Sequence, residues 1–299
     1  MFSKGNSRQA EPKRLALAVE RLDINDLHFA DEMPASIEVD LPGRGTAFVR
    51  VSDGPAGAPT VLLVHGLFAT ADLTWSLAMP ALASRFKVVA PDLRGHGRGL
   101  PTSRFTGVEC ADDLAALVKA LELGPVIVVG YSLGGLVAQL FASRYPELVA
   151  GMVLCASACS FDVPTKGGVL KLVERAARRA PERVRRAALM AMLAPKSADC
   201  PRGRWLMEQV RRHDTMAMLD ATAEAGAFDS APWLGDSPCP AAVIVTSDDP
   251  VVSAASQRSM SRTLAGSAVY EVAGDHFACI KRPAQFNAAL MTACVGLAA

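Results

Sequence analysis

One stretch constrains this chain more than any other. The β-branched run Pro125-Val126-Ile127-Val128-Val129 leads into Gly130-Tyr131-Ser132-Leu133-Gly134-Gly135, and a helical pattern, Leu136–Ala142, follows. Strand, Gly-x-Ser-x-Gly and helix in that order predict a nucleophile elbow. Such a turn holds the serine in a strained backbone conformation with its hydroxyl aimed into a cleft. Side chains at 130 and 134 would collide with the turn or with the next strand, so glycine serves at both. The helix that starts after Ser132 would turn its positive end toward the site and favour developing negative charge.

A serine hydroxyl needs a base, an orienting acid and oxyanion donors. In an elbow arrangement the acid and the histidine follow the serine, in that order. Of five histidines, only His213 and His276 come after Ser132. His276 follows the strand-like run Ala268–Val272, and open α/β sheets bind ligands beyond the carboxyl ends of their strands. His213 lies in the charged run Arg211-Arg212-His213-Asp214 and reads as a solvated surface residue. The acid is expected after the apolar run Ala241–Thr246, in Ser247-Asp248-Asp249-Pro250. Asp249 leads, because Asp-Pro after a buried strand opens a turn. Asp248 competes on the same loop, and Asp162 is a more distant third.

Two backbone amides should bind the oxyanion: one from the residue after the serine, Leu133, and one from an earlier loop. The buried run Thr60–Val64 ends in His65-Gly66-Leu67-Phe68. Gly66 lets the backbone approach the cleft, which makes Leu67 the second donor, and His65 reads as structural.

Taken together, His65-Gly66-Leu67-Phe68, Pro91-Asp92-Leu93-Arg94-Gly95-His96-Gly97-Arg98-Gly99, the Ser132 elbow, Ser247-Asp248-Asp249-Pro250 and Gly274-Asp275-His276-Phe277 resemble the α/β-hydrolase superfamily, in its small microbial esterase-like and lipase-like branch. The likeness runs from about Ser36 to the C-terminus. It implies an α/β fold: a mostly parallel eight-stranded sheet flanked by helices, with a helical cap insertion. It also implies Ser132 as nucleophile, Asp249 as acid, His276 as base, and Leu67 with Leu133 as oxyanion donors. Two positions depart from the family pattern. Thr246-Ser247 replaces a Gly-Glu-like pair before the acid, and Asp275 replaces a small residue before the histidine.

The composition agrees. Hydrophobic residues make up 51% and charged residues 20% of 299, enough for one large core. A net charge of +1 argues against a nucleic-acid surface. Seven cysteines, an odd number without a Cys-x-x-Cys pair, read as buried thiols in a reducing compartment. No apolar stretch approaches a membrane span, and the N-terminus lacks a signal-peptide pattern, so a cytoplasmic location is expected.

Organisation follows from the pattern. Residues 1–35 read as a leader containing an amphipathic helix over 12–23. Residues 36–159 and 213–299 read as the core. Residues 160–212 interrupt the strand–helix alternation and read as the cap. This cap carries thirteen Lys or Arg against five Asp or Glu. A solvated helix face accounts for that charge; attraction to an anionic substrate or an anionic lipid surface is the sharper alternative. The Asp92–Gly99 segment reads as a loop beside the cleft rather than a phosphate loop. The expected activity is cleavage of acyl esters through an acyl-enzyme. The expected partner is a small acyl substrate, and no metal or organic cofactor is implied. Thioesterase or carbon–carbon bond hydrolase chemistry with the same residues, and a small-molecule receptor on the same fold, stand as alternatives.

Overall fold

The computed structural model describes residues 22–161, 168–196 and 198–298. Eight strands form one sheet: β1 (Ser36–Leu41), β2 (Gly45–Ser52), β3 (Thr60–Val64), β4 (Lys87–Pro91), β5 (Val126–Tyr131), β6 (Val149–Cys155), β7 (Ala241–Thr246) and β8 (Ala268–Val272). Their order is β1-β2-β4-β3-β5-β6-β7-β8. β2 runs antiparallel to both β1 and β4; every other pairing is parallel. This is the mostly parallel eight-stranded sheet that the resemblance implies, with an antiparallel hairpin at one edge. β3 and β5 are buried at every position, as strands covered on both faces must be.

The helices are α1 (Ala71–Trp75), α2 (Ala78–Leu82), α3 (Gly107–Ala120), α4 (Leu133–Arg144), α5 (Gly168–Arg179), α6 (Glu182–Leu193), α7 (Pro201–Arg211), α8 (Thr215–Ala227), α9 (Ala254–Thr263), α10 (Ala278–Lys281) and α11 (Pro283–Ala298). α4 packs on β5, β6 and α3, while α11 packs on α2 and on β6 to β8. The helices α5 to α8 all lie between β6 and β7. The last of them, α8, packs on α5 and α6, so the helical interruption extends past 212 to Ala227.

Ahead of β1, residues 22–35 hold no strand or α-helix. Ile24 donates its N–H to the Lys196 carbonyl and Lys196 donates back to Leu22, a short strand-like pairing. The amphipathic helix expected over 12–23 lies outside the described residues except for Leu22 and Asp23. Those two are not helical, because Asp23 caps the 3-10 turn Ile24–Asp26 instead. Asp162 also lies outside the described residues.

Candidate active site

The elbow is built as its glycines require. Ser132 has φ 53° and ψ −117°, a conformation that costs energy in any residue with a side chain. A Cβ on Gly130 would fall on the carbonyl of Gly134, and one on Gly134 would fall on the carbonyls of Val64 and His65. The turn is pinned from the next strand: Ser132 donates its N–H to Cys155 O at 2.9 Å, and the Ser157 hydroxyl donates to Ser132 O at 3.0 Å.

Three side chains from three strand ends meet at this turn. His276, after β8, has Nε2 2.9 Å from Ser132 Oγ. Its Nδ1 is 2.7 Å from Asp249 Oδ2, on the loop after β7. The carboxylate accepts the Nδ1–H, which leaves Nε2 free to accept the serine proton. Asp249 and not Asp248 faces the histidine. Asp248 is exposed and accepts from its neighbour Ser247 at 2.7 Å.

Asp249 is held as a carboxylate. Burial opposes ionisation, but the His276 charge and hydrogen bond, the Val252 amide and the Thr246 hydroxyl outweigh it and keep the carboxyl below its ordinary range. Its Oδ1 accepts from Val251 N at 2.8 Å and Val252 N at 2.9 Å. Its Oδ2 also accepts from Thr246 Oγ1 at 2.8 Å and Gln257 Nε2 at 3.2 Å. Both departures from the family pattern thus have a use. Thr246 supplies a donor to Asp249. Asp275 accepts from the Phe277 N–H at 2.9 Å and pairs with Lys281 at 2.8 Å, which orders the turn behind His276.

Gln257 escapes a reading of the sequence, since an amide in the polar run Ser253–Ser261 of α9 gives no sign that it faces inward. It is fully buried, accepts from Thr246 N at 3.0 Å and donates to Thr246 Oγ1 and Val252 O at 2.8 Å each. Tyr131 is the second residue missed. Its hydroxyl donates to the His276 carbonyl at 2.9 Å and supports the histidine loop from below.

Leu67 and Leu133 flank the serine. A Cβ on Gly66 would lie 3.4 Å from Ser132 Cβ, so the chain at 66–67 passes directly beside the nucleophile candidate. Leu133 is the first residue of α4, and its N–H has no carbonyl one turn back to bond. The Leu67 N–H has no partner among the described residues. Next to it Phe68 holds φ 58°, a second strained position at the rim.

His65 is structural, as expected. It is fully buried, donates from Nδ1 to Gly66 O at 2.8 Å and accepts the Leu93 N–H on Nε2 at 2.9 Å. His213 corrects the sequence reading: it is not a solvated surface residue but fully buried. The chain turns inward where α7 ends, and His213 Nδ1 accepts the Gly97 N–H at 3.0 Å. His96 lies between the two, with ring centroids 5.2 Å from His65 and 5.5 Å from His213. Burial pushes all three imidazoles down to about 3, so they stay neutral. The loop Asp92–Gly99 thereby ties the His65-Gly66 segment after β3 to the α7–α8 corner. Asp92 anchors that loop, accepting the N–H groups of Ala71 at 2.8 Å and Arg98 at 2.9 Å.

Ser132 and His276 open into a cavity of about 160 Å³. Leu67, Phe68, Leu73 and Val251 contribute from the sheet side, and Leu193, Leu206 and Val210 from α6 and α7. Among the described residues no Asp, Glu, Lys or Arg lines it. The basic residues are elsewhere. Arg178 pairs with Glu174 at 3.0 Å and Asp220 at 2.6 Å. Arg185 pairs with Glu182 at 2.9 Å, and Arg186 with Glu182 and the carbonyls of Arg211 and His213. Arg175, Arg179, Arg183 and Arg204 are exposed and have no ion pair among the described residues.

Comparison with known proteins agrees with the geometry. A sequence model of the alpha/beta hydrolase fold matches residues 59–176. An uncharacterized protein of Mycobacterium tuberculosis is 37% identical over 116 residues, 38% of this chain but only 33% of its own length. Lipase LipV of the same organism is 38% identical over 111 residues, 36% of this chain and 41% of its own. The match thus spans well under half of these relatives. The solved structure of a thermophilic esterase from Thermogutta terrifontis superposes with a TM-score of 0.71 at 24% identity, covering 89% of this chain and 100% of that one. With its elbow, sheet order and matched core, this chain has the α/β-hydrolase fold, and residues 59–176 match the sequence model of that fold.

Proposed function

We propose that the chain is a serine hydrolase that cleaves carboxylic esters of neutral, apolar acyl groups. One observation carries this reading: the hydrogen-bonded line Ser132–His276–Asp249 ends in a cavity without a charged side chain among the described residues. His276 Nε2 takes the hydroxyl proton as Ser132 Oγ attacks the carbonyl carbon. Asp249 stabilises the imidazolium. The carbonyl oxygen becomes an oxyanion held by the Leu67 and Leu133 N–H groups, each donor worth about 3 kcal/mol in the transition state. Collapse expels the alcohol, which takes the proton from His276. Water then enters, gives its proton to His276 and attacks the acyl-enzyme, and collapse returns Ser132 and releases the acid.

A carboxylate-bearing substrate would find no Lys or Arg among the described lining residues to pair with, which favours a neutral ester over an anionic carbon–carbon cleavage substrate. The relative named as a lipase and the structural neighbour described as an esterase support the same class. Thioesters fit the same geometry. A panel of p-nitrophenyl esters with a thioester alongside separates the two. Ser132→Ala is expected to abolish hydrolysis and fluorophosphonate labelling with the fold intact. Labelling at another serine would reject the assignment, and no labelling of the parent protein would favour a receptor. A cytoplasmic location belongs to the same reading, because all seven thiols are unpaired. Among the described residues no helix is long and apolar enough to cross a membrane.

A further inference from the structure

The cavity has a wall that does not come from the sheet or from the helices over it. Leu22, Leu27 and Phe29, from the segment ahead of β1, line it beside Ser132 and His276. This strap is tied on both sides. On one it pairs with Lys196, accepts from Arg202 Nη1 at Leu27 O (3.2 Å), and packs Phe29 on Trp205 with ring centroids 4.9 Å apart. On the other, the His28 N–H donates to Ile280 O at 2.9 Å, in the short helix just after His276. Leu22 and Leu27 are buried, so their side chains occupy space that would otherwise continue the cavity.

Size adds a constraint. A cavity of about 150 Å³ lined by aliphatic and aromatic side chains accommodates benzene. The chamber here is of that size, about 160 Å³, and similarly apolar. It suits one group of about six carbons rather than a long lipid chain.

We propose that the strap Leu22–Phe29 is the specificity wall of the site, selecting acyl groups of about six carbons through Leu22, Leu27 and Phe29. The proposal rests on the ester hydrolase reading for its substrate but not for its geometry. Because each methylene in a close-fitting apolar pocket changes selectivity by about tenfold or more, moving this wall should move the preferred chain length.

The test pairs a widening with a narrowing variant. Leu27→Ala should raise the octanoate-to-butyrate ratio of kcat/KM for p-nitrophenyl esters by about tenfold or more, and Leu22→Phe should lower it by a similar factor. A second readout needs no catalysis. In Ser132→Ala protein, n-alkanols from butanol to decanol are screened for the rise in Tm they produce. The most stabilising alcohol should be near hexanol, longer with Leu27→Ala added and shorter with Leu22→Phe added. If no ester is cleaved but the alkanol optimum shifts, the wall stands and the ester reading fails. If esters are cleaved while both folded variants keep the parent's ester ratio and alkanol optimum, the wall is wrong. A variant that does not fold is replaced by Phe29→Leu, whose expected shift is toward longer chains.

Discussion

Thr246 Oγ1 donates to Asp249 at 2.8 Å, on the same carboxylate oxygen that faces His276. The hydroxyl therefore fixes which lone pair the imidazole meets. Thr246→Val keeps the shape and removes the donor, leaving the buried Gln257 amide short of a partner as well. Loss of a hydrogen bond to a charged group costs about 1.5–3 kcal/mol. Urea unfolding should show a fall of that size, and kcat should drop more than KM rises. An unchanged unfolding midpoint would show that water replaces the hydroxyl.

Asp249→Asn tests the acid directly. The variant keeps the geometry but takes the stabilising charge from the imidazolium and favours the wrong tautomer, so kcat should fall by on the order of 10⁴. Asp248→Asn, on an exposed side chain, should leave kcat within about twofold. Steady-state kinetics on one p-nitrophenyl ester decide between them, and reversed effects would refute the placement of the loop.

Gly134 tolerates no side chain, because a Cβ there lands on the carbonyls of Val64 and His65. Gly134→Ala must push α4 and β3 apart. Overpacking of this kind costs about 1–3 kcal/mol, and it displaces the Gly66–Leu67 backbone from the serine. Both Tm and kcat should fall, with kcat losing at least tenfold. Full activity in a destabilised protein would separate the packing from the oxyanion loop.

Much of this was legible because it is local. Strand, glycine, serine and helix are contiguous at 125–142, and the histidine and acid loops follow apolar runs that end where the sheet ends. Long-range burial was not. The charges around His213 suggest solvent, yet its partner Gly97 is 116 residues away in sequence. The choice of Asp249 over Asp248 depends on a single residue of loop register. Gln257 and the strap are invisible for the same reason: a polar helix face and the segment 22–29 take their surroundings only from what packs on them.

The buried histidines make stability pH-dependent, with a definite sign. Each folded-state pKa near 3 lies below the unfolded value of about 6.5. Their contribution is therefore complete above pH 6.5 and is lost as pH falls toward 3. Asp92 acts the other way, since burial raises it to about 6, so its protonation offsets one of the three protons over part of that window. Near pH 5 the net of about two protons predicts a loss of roughly 2.7 kcal/mol per pH unit. Chemical unfolding at pH 7, 6 and 5 measures the slope. His96→Phe should reduce it by about one proton, whereas a slope unchanged by that variant would place the titration elsewhere.

Seven arginines of α5, α6 and α7 divide into two sets, and the division predicts opposite behaviour. Arg178 ties α5 to α8 through Asp220, Arg185 ties α6 to α8 through the Thr215 hydroxyl, and Arg186 reaches the His213 carbonyl at the α7–α8 corner. Reversing any of them should lower Tm and slow neutral and anionic esters alike, because the roof of the cavity loosens. Arg175, Arg179, Arg183 and Arg204 face solvent and have no ion pair among the described residues. Their charge acts only through solvent, over roughly 8 Å at 0.15 M salt. If they attract anionic substrates, converting all four to Glu should lower kcat/KM for an anionic ester at low salt and leave a neutral ester unchanged. The difference should vanish as salt rises to physiological strength. Equal responses of the two esters would make these four a solvated face and would remove the case for an anionic lipid surface as partner.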